Sequence, residues 1–341
     1  MPKPHSNLCL AASVALILVL ALPLIAQDSQ SQAPASDDQS TETLKVNVDV
    51  VQLFFNVKDK HGALIPNLTK DNFEIIEDGK PQTIKYFKAE TDLPLTLGIL
   101  IDASGSQRNV LGIEQEVGGS FLESTLRPRD MASVFSFDVD VNLLQDFTGS
   151  VSRLRKALND VKINSGTGAC ANLPGLGGGP IPCPSTGPRG TVLYDAVYVA
   201  SHDAFAQEVG RKAMILLTDG EDQGSRLKIR DAIEAAHKAD TICYVLLIAD
   251  RGLSFGFGGG DMRKLTAETG GRVIEVGNKF EKLKQAFDQI SQELRSQYNV
   301  GYTPTNTNRD GSFRKVEIKA KGGEYKIQAR SGYYAMPRKD Q

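Results

Sequence analysis

Two apolar runs set the terms for what this chain can fold into. Leu95-Thr96-Leu97-Gly98-Ile99-Leu100-Ile101 and Ala213-Met214-Ile215-Leu216-Leu217-Thr218 are of strand length and show no polar alternation. A strand without a polar face has to be covered on both sides, the condition of a parallel sheet held between helices. The segments around them alternate accordingly. Val110–Leu126, Val151–Val161, Leu227–Ala239, Asp261–Thr269 and Phe280–Gln297 read as helices, the last with Phe280, Leu283, Phe287, Ile290 and Leu294 on one face. Met131–Asp138, Thr241–Ala249 and Arg272–Val276 read as strands. The expected fold class is α/β, a doubly wound and mainly parallel sheet.

Chemistry gathers at the ends of the two runs. The first leads into Asp102-Ala103-Ser104-Gly105-Ser106, the second into Asp219-Gly220-Glu221-Asp222. Open α/β sheets hold their ligands in the crevice outside the carboxyl ends of the strands. Carboxylates with hydroxyls form a hard-oxygen donor set suited to Mg2+, Mn2+ or Ca2+. Asp or Ser after a strand also caps the next helix, and the first motif alone leaves that reading open. A third segment adds to it: Gly190-Thr191-Val192-Leu193 places a threonine at the start of a helical pattern with Leu193, Val197, Ala200 and Ala204 on one face. Zinc is a poor match, because His5, His61, His202 and His237 are scattered and no cysteines pair at short spacing.

In order and in context, this D-x-S-x-S…T…D pattern resembles the von Willebrand factor A-type domain and its metal-ion-dependent adhesion site, over roughly residues 93–297. The resemblance implies five metal ligands, Asp102, Ser104, Ser106, Thr191 and Asp219, with Mg2+ the foremost ion. It further implies an open position that accepts an Asp or Glu of a partner protein.

The ends point to export. Residues 1–26 begin with Lys3 and His5 and run apolar from Leu8 to Ala26, the shape of a secretory signal peptide. The same run is long enough to span a bilayer, so an uncleaved anchor is the alternative, and only then would the membrane be a partner. Residues 27–43 are Ser/Gln-rich and expected to be a disordered tether. The expected location is periplasmic, cell-envelope or secreted. In an oxidising compartment Cys170 and Cys183, both in the Gly/Pro-rich stretch Asn164–Gly190, would pair with each other, and closing that loop is worth about 3 kcal/mol. Cys243 falls in an apolar strand, where a free thiol is ordinary.

A net charge of −2 offers no basic field for nucleic acid. The Gly/Phe-rich stretch Gly252–Gly260 lacks the G-x-G-x-x-G spacing, so no nucleotide is expected.

Outside residues 93–297 the period changes to two. Leu44–Val57 alternates, Phe73–Glu77 and Thr83–Phe87 flank an Asp78-Gly79 turn and read as a hairpin, and Tyr298–Thr303, Phe313–Ala320 and Tyr325–Ala329 are further strands. Neither flank makes an adequate sheet alone. The N-terminal segment (44–91) and C-terminal segment (298–335) are therefore expected to pair into one small β-sandwich, with the α/β unit inserted between them. These flanks also resemble a bacterial family of exported A-type-domain proteins abundant in acidobacteria. Its marks here are Leu68-Thr69-Lys70-Asp71-Asn72-Phe73-Glu74, Glu77-Asp78-Gly79-Lys80-Pro81-Gln82, Glu293-Leu294-Arg295-Ser296-Gln297-Tyr298, Gly301-Tyr302-Thr303-Pro304 and Arg330-Ser331-Gly332-Tyr333-Tyr334.

The expected function is a non-enzymatic, metal-dependent protein-binding module. The alternatives are a metal-dependent hydrolase or phosphotransferase using Asp102, or a structural envelope domain without a metal-dependent ligand. No His, Lys or Cys sits beside Asp102 or Asp219 in sequence to serve as acid or base, which weighs against the enzyme.

Overall fold

The computed structural model describes residues 50–90, 93–164, 190–248 and 259–337. The segments 1–26 and 27–43, Cys170 and Cys183, and most of Gly252–Gly260, for which expectations are given above, lie outside them. In chain order the strands are β1 (Val51–Lys58), β2 (Phe73–Glu77), β3 (Lys80–Gln82), β4 (Ile84–Glu90), β5 (Leu95–Asp102), β6 (Met131–Phe137), β7 (Val141–Thr148), β8 (Arg211–Thr218), β9 (Thr241–Leu247), β10 (Val273–Glu275), β11 (Gln297–Tyr302), β12 (Phe313–Ala320), β13 (Lys326–Ala329) and β14 (Gly332–Tyr334). The helices are α1 (Leu111–Thr125), α2 (Val151–Asp160), α3 (Leu193–Val199), α4 (Ile229–Lys238), α5 (Gly259–Thr269) and α6 (Phe280–Arg295).

The central sheet has the order β10-β9-β8-β5-β6-β7. It is parallel except for the edge strand β7, which runs antiparallel to β6. β5 and β8 lie side by side, and every residue of both is buried. Their apolar runs are thus covered from both faces, by α1, α2 and α6 on one side and by α3, α4 and α5 on the other. From β5 the chain moves first to β6 and later returns to β8 on the opposite side. The carboxyl ends of β5 and β8 therefore flank the point where the strand order reverses, the place such sheets reserve for a ligand. The sequence reading did not find β7, whose apolar Leu143 and Leu144 are exposed and whose pattern does not alternate.

The remaining strands form two antiparallel four-stranded sheets, β13-β1-β11-β4 and β14-β12-β2-β3. Both draw strands from each flank: β1 pairs with β11 and β13, β4 with β11, and β2 with β12. Their facing sides share one core, including a cluster of Phe55, Phe73, Phe87 and Tyr298 with ring centroids 5.1–5.7 Å apart. Aromatic pairs at such distances add to the burial term.

The expected hairpin of Phe73–Glu77 with Thr83–Phe87 is corrected. Asp78 (φ 47°) and Gly79 (φ 79°) make a two-residue turn that fixes Glu77 opposite Lys80 and Ile75 opposite Gln82. The partner is therefore β3, only three residues long. The chain then crosses to the other sheet, where β4 pairs with β11.

The α/β unit and the sandwich are joined by buried polar contacts at the end of α6. Glu293 Oε1 accepts from Lys58 Nζ of β1 and from Arg272 Nε, both at 2.8 Å, and Glu293 Oε2 accepts from Gln328 Nε2 of β13 at 3.1 Å. Arg295 pairs with Asp130, whose Oδ1 also accepts the Leu95 amide at 2.8 Å, so the start of β5 and the end of α6 are clamped together. Gly270 (φ +87°) closes the seam, since an added Cβ there would lie 2.6 Å from the Arg330 amide nitrogen, and Gly271 packs against β9, where an added Cβ would lie 1.9 Å from the Cys243 carbonyl oxygen.

Candidate metal centre

Asp102 is the last residue of β5 and is fully buried. Its Oδ1 accepts the Ser104 amide at 2.9 Å, and its Oδ2 accepts the Thr218 hydroxyl, at the end of β8, at 2.7 Å. Thr218 Oγ1 in turn accepts the Gly220 amide at 3.1 Å, and the left-handed backbone of Gly220 (φ +85°) turns the chain just beyond that bond. One threonine hydroxyl thereby ties the first acidic loop to the second. The sequence reading missed it, because Thr218 reads simply as the last residue of an apolar strand.

Ser104 is buried and Ser106 exposed, and their hydroxyl oxygens lie 2.9 Å apart. Asp219, half-buried, accepts the Glu221 amide at 3.1 Å on Oδ1. The threonine loop is fastened to the same place: the Thr191 carbonyl accepts the Gln223 amide at 3.0 Å, and the Val192 amide donates to the Asp138 carbonyl at 2.8 Å. The loops carrying Asp102, Ser104, Ser106, Thr191 and Asp219 are thus bonded to one another at the mouth of the sheet.

Neighbouring acids are accounted for differently. Asp195 accepts the amides of Arg226 and Leu227 at 3.1 and 3.0 Å, and Asp222 accepts the Tyr194 amide and the Ser225 hydroxyl at 3.2 and 2.5 Å. Both are spent on holding loops together at the start of α3.

Burial, with the charge of Asp219 second, pushes the Asp102 carboxyl up to about 7, against the pull of hydrogen bonds from Ser104 and Thr218. Among the described residues no Lys or Arg forms an ion pair with Asp102 or Asp219. Two carboxylates beside each other, with hydroxyls for company, suit a cation more than any other ligand. Among the described residues no three His, Cys, Asp or Glu side chains converge, so a metal here would rely on the hydroxyls, as hard divalent ions accept.

Searches for family models and for curated proteins matching this chain find none. Solved structures do match. BatB from Bacteroides thetaiotaomicron is similar over 59% of this chain and 100% of its own, at 16% identity and a TM-score of 0.44. Proximal thread matrix protein 1 from the mussel byssus, solved with a zinc-occupied MIDAS motif, is similar over 64% of this chain at 14% identity and a TM-score of 0.46. The chain spans about half, 49%, of that protein's length. The SpRpn10 VWA domain is similar over 58% of this chain and 95% of its own, at 12% identity and a TM-score of 0.40. The fold class itself rests on the strand order and register described above.

Proposed function

We propose that this chain is an exported, non-enzymatic protein-binding module of the von Willebrand factor A type. In this reading Asp102, Ser104, Ser106, Thr191 and Asp219 hold a divalent cation, Mg2+ foremost, that receives an acidic side chain of a partner protein. The observation that supports it most is the meeting of Asp102 and Asp219 at the switch point without a basic partner among the described residues. A divalent cation bound there would supply the positive charge that an incoming carboxylate needs. The chain's own residues do the rest. Thr218 and the Ser104 amide fix the Asp102 carboxylate, the paired serines present hydroxyl oxygens beside it, and the Gln223–Thr191 bond keeps the threonine loop within reach. Export rests on the sequence of residues 1–26.

Calorimetric titration with Mn2+ tests the site. Wild type should bind one ion, and Asp102→Ala and Asp102→Asn should lose it while keeping the wild-type far-UV circular dichroism. Capture of a partner from a cell-envelope fraction tests the function. It should require Mg2+, fail in EDTA, and be lost in Thr191→Ala and Asp219→Ala. Capture that survives EDTA and both substitutions would remove the metal from the function.

A further inference from the structure

A cavity of about 290 Å3 lies at the amino ends of β8 and β9, between the α/β unit and the sandwich, at the opposite end of the sheet from Asp102 and Asp219. Junctions of this kind are where small-molecule sites tend to form. Lys212, the second residue of β8, lines the cavity and is only 8% exposed. Its Nζ donates to the backbone carbonyls of Glu208 at 3.0 Å and Phe205 at 3.4 Å, and among the described residues it forms no ion pair. One of its three N–H groups is left over. A buried ammonium without a counter-charge is costly, and Leu or Met would fill the space at less cost.

The other cations of the wall are committed. Arg330 pairs with Asp240 and donates to the Gln52 carbonyl at 2.8 Å, and Arg211 donates to the carbonyls of Leu93 and Leu294. The half-buried Glu208 lines the same cavity, and among the described residues its carboxylate forms neither an ion pair nor a hydrogen bond. Gln297, 2% exposed, adds a carbonyl oxygen, Oε1, that receives no donor. Phe54, Ala236 and Ile242 give the wall apolar surface, and Val209, 84% exposed, lacks a cover of its own.

We propose that this cavity binds a free α-amino acid with an apolar side chain. One small zwitterion supplies what each part of the wall lacks. Its carboxylate accepts from Lys212, its ammonium donates to Glu208 and to Gln297 Oε1, and its side chain covers Phe54, Val209 and Ile242. A simple carboxylate would leave Glu208 facing a like charge, and a simple amine would do the same to Lys212. Charge-assisted hydrogen bonds at both ends are the strong kind. The site uses no metal and stands independently of the proposed cation site.

Equilibrium dialysis with radiolabelled L-leucine tests it. The wild-type protein should bind one equivalent with a Kd of about 1 mM or tighter, in EDTA as in Mg2+. 4-Methylpentanoate, which lacks the ammonium, and 3-methylbutylamine, which lacks the carboxylate, should each compete about tenfold more weakly than unlabelled L-leucine, the scale of one lost hydrogen bond to a charged group. Glu208→Gln should weaken L-leucine about tenfold yet tighten 4-methylpentanoate, a crossing that a merely damaged fold would not produce. Lys212→Met should abolish binding of both. It strands two carbonyls, so where it fails to fold the Glu208→Gln comparison decides. No saturable binding of L-leucine by wild type at about 10 mM, wild-type affinity in Glu208→Gln, or equal competition by L-leucine and 4-methylpentanoate would overturn the assignment.

Discussion

At the scale of single residues, the candidate site is held by a group that carries no charge. Thr218 accepts one hydrogen bond from the loop of Asp219 and gives one to Asp102. Thr218→Val keeps the β-branched shape and deletes both bonds, leaving a buried carboxylate oxygen and the Gly220 amide without partners. It should cost about 2 kcal/mol in urea denaturation of the metal-free protein, whereas Thr218→Ser should stay near wild type. The same residue shows what sequence conveys and what it omits. Asp102, Ser104 and Ser106 were legible because they share one turn after an apolar strand, and Asp219 because it follows another. Thr218 was not, because its significance comes from two strands meeting across more than a hundred residues of chain.

At the scale of elements, the apolar runs located β5 and β8 and the period of 3.6 located the helices, since burial on two faces or one leaves an unmistakable pattern. The elements that escaped, β7 and β14, and the short β3, sit at sheet edges where half the positions face water and the pattern dissolves. The motif marks of the flanks also gain a physical account. Glu77 accepts both the Tyr302 and Tyr333 hydroxyls, at 2.7 and 3.0 Å, uniting three of those marks inside the sandwich. At the end of α6, Glu293 ties the α/β unit to β1, and Arg295 ties the helix to Asp130 within that unit. Glu293 is 3% exposed and serves two cations, so Glu293→Ala strands Lys58 and Arg272 beside each other at the seam. Since Lys58 and Arg272 keep some exposure, the expected loss is about 3 kcal/mol in urea denaturation, the low end for breaking a buried pair. A loss below about 1 kcal/mol, the range of surface pairs, would mean the seam is not held there.

At the scale of the whole molecule, His237 of α4 is the group through which acidity reaches the junction of α/β unit and sandwich. Its ring packs edge-on against Phe313 and Tyr334, centroids 5.2 and 6.3 Å away, and neither ring nitrogen has a hydrogen-bond partner. Burial first, and the nearby Arg330 second, hold the imidazole down at about 4, opposed by Glu268, Asp240 and the Gly332 backbone. The folded protein thus keeps His237 neutral where the unfolded chain would protonate it. Its contribution to stability is complete above about 6.5, is lost as pH falls from there to about 4, and changes no further below; the loss is at most about 3 kcal/mol. His237→Phe should remove that loss, so its pH–stability curve should be flatter than the wild-type curve within that window, read by chemical denaturation at each pH. Parallel curves would place the acid sensitivity elsewhere. The weave of the sandwich has a consequence in time. β1 and β2 meet β13 and β12 only after more than two hundred intervening residues have been made, so as the chain emerges they have little beyond the local Lys58–Leu64 bridge and the short β2–β3 turn to pair with. The α/β unit, complete in itself between them, draws Leu93 and Leu294 to the single side chain of Arg211 and so shortens the search for the last strands. It is the splint on which the two halves of the sandwich are set.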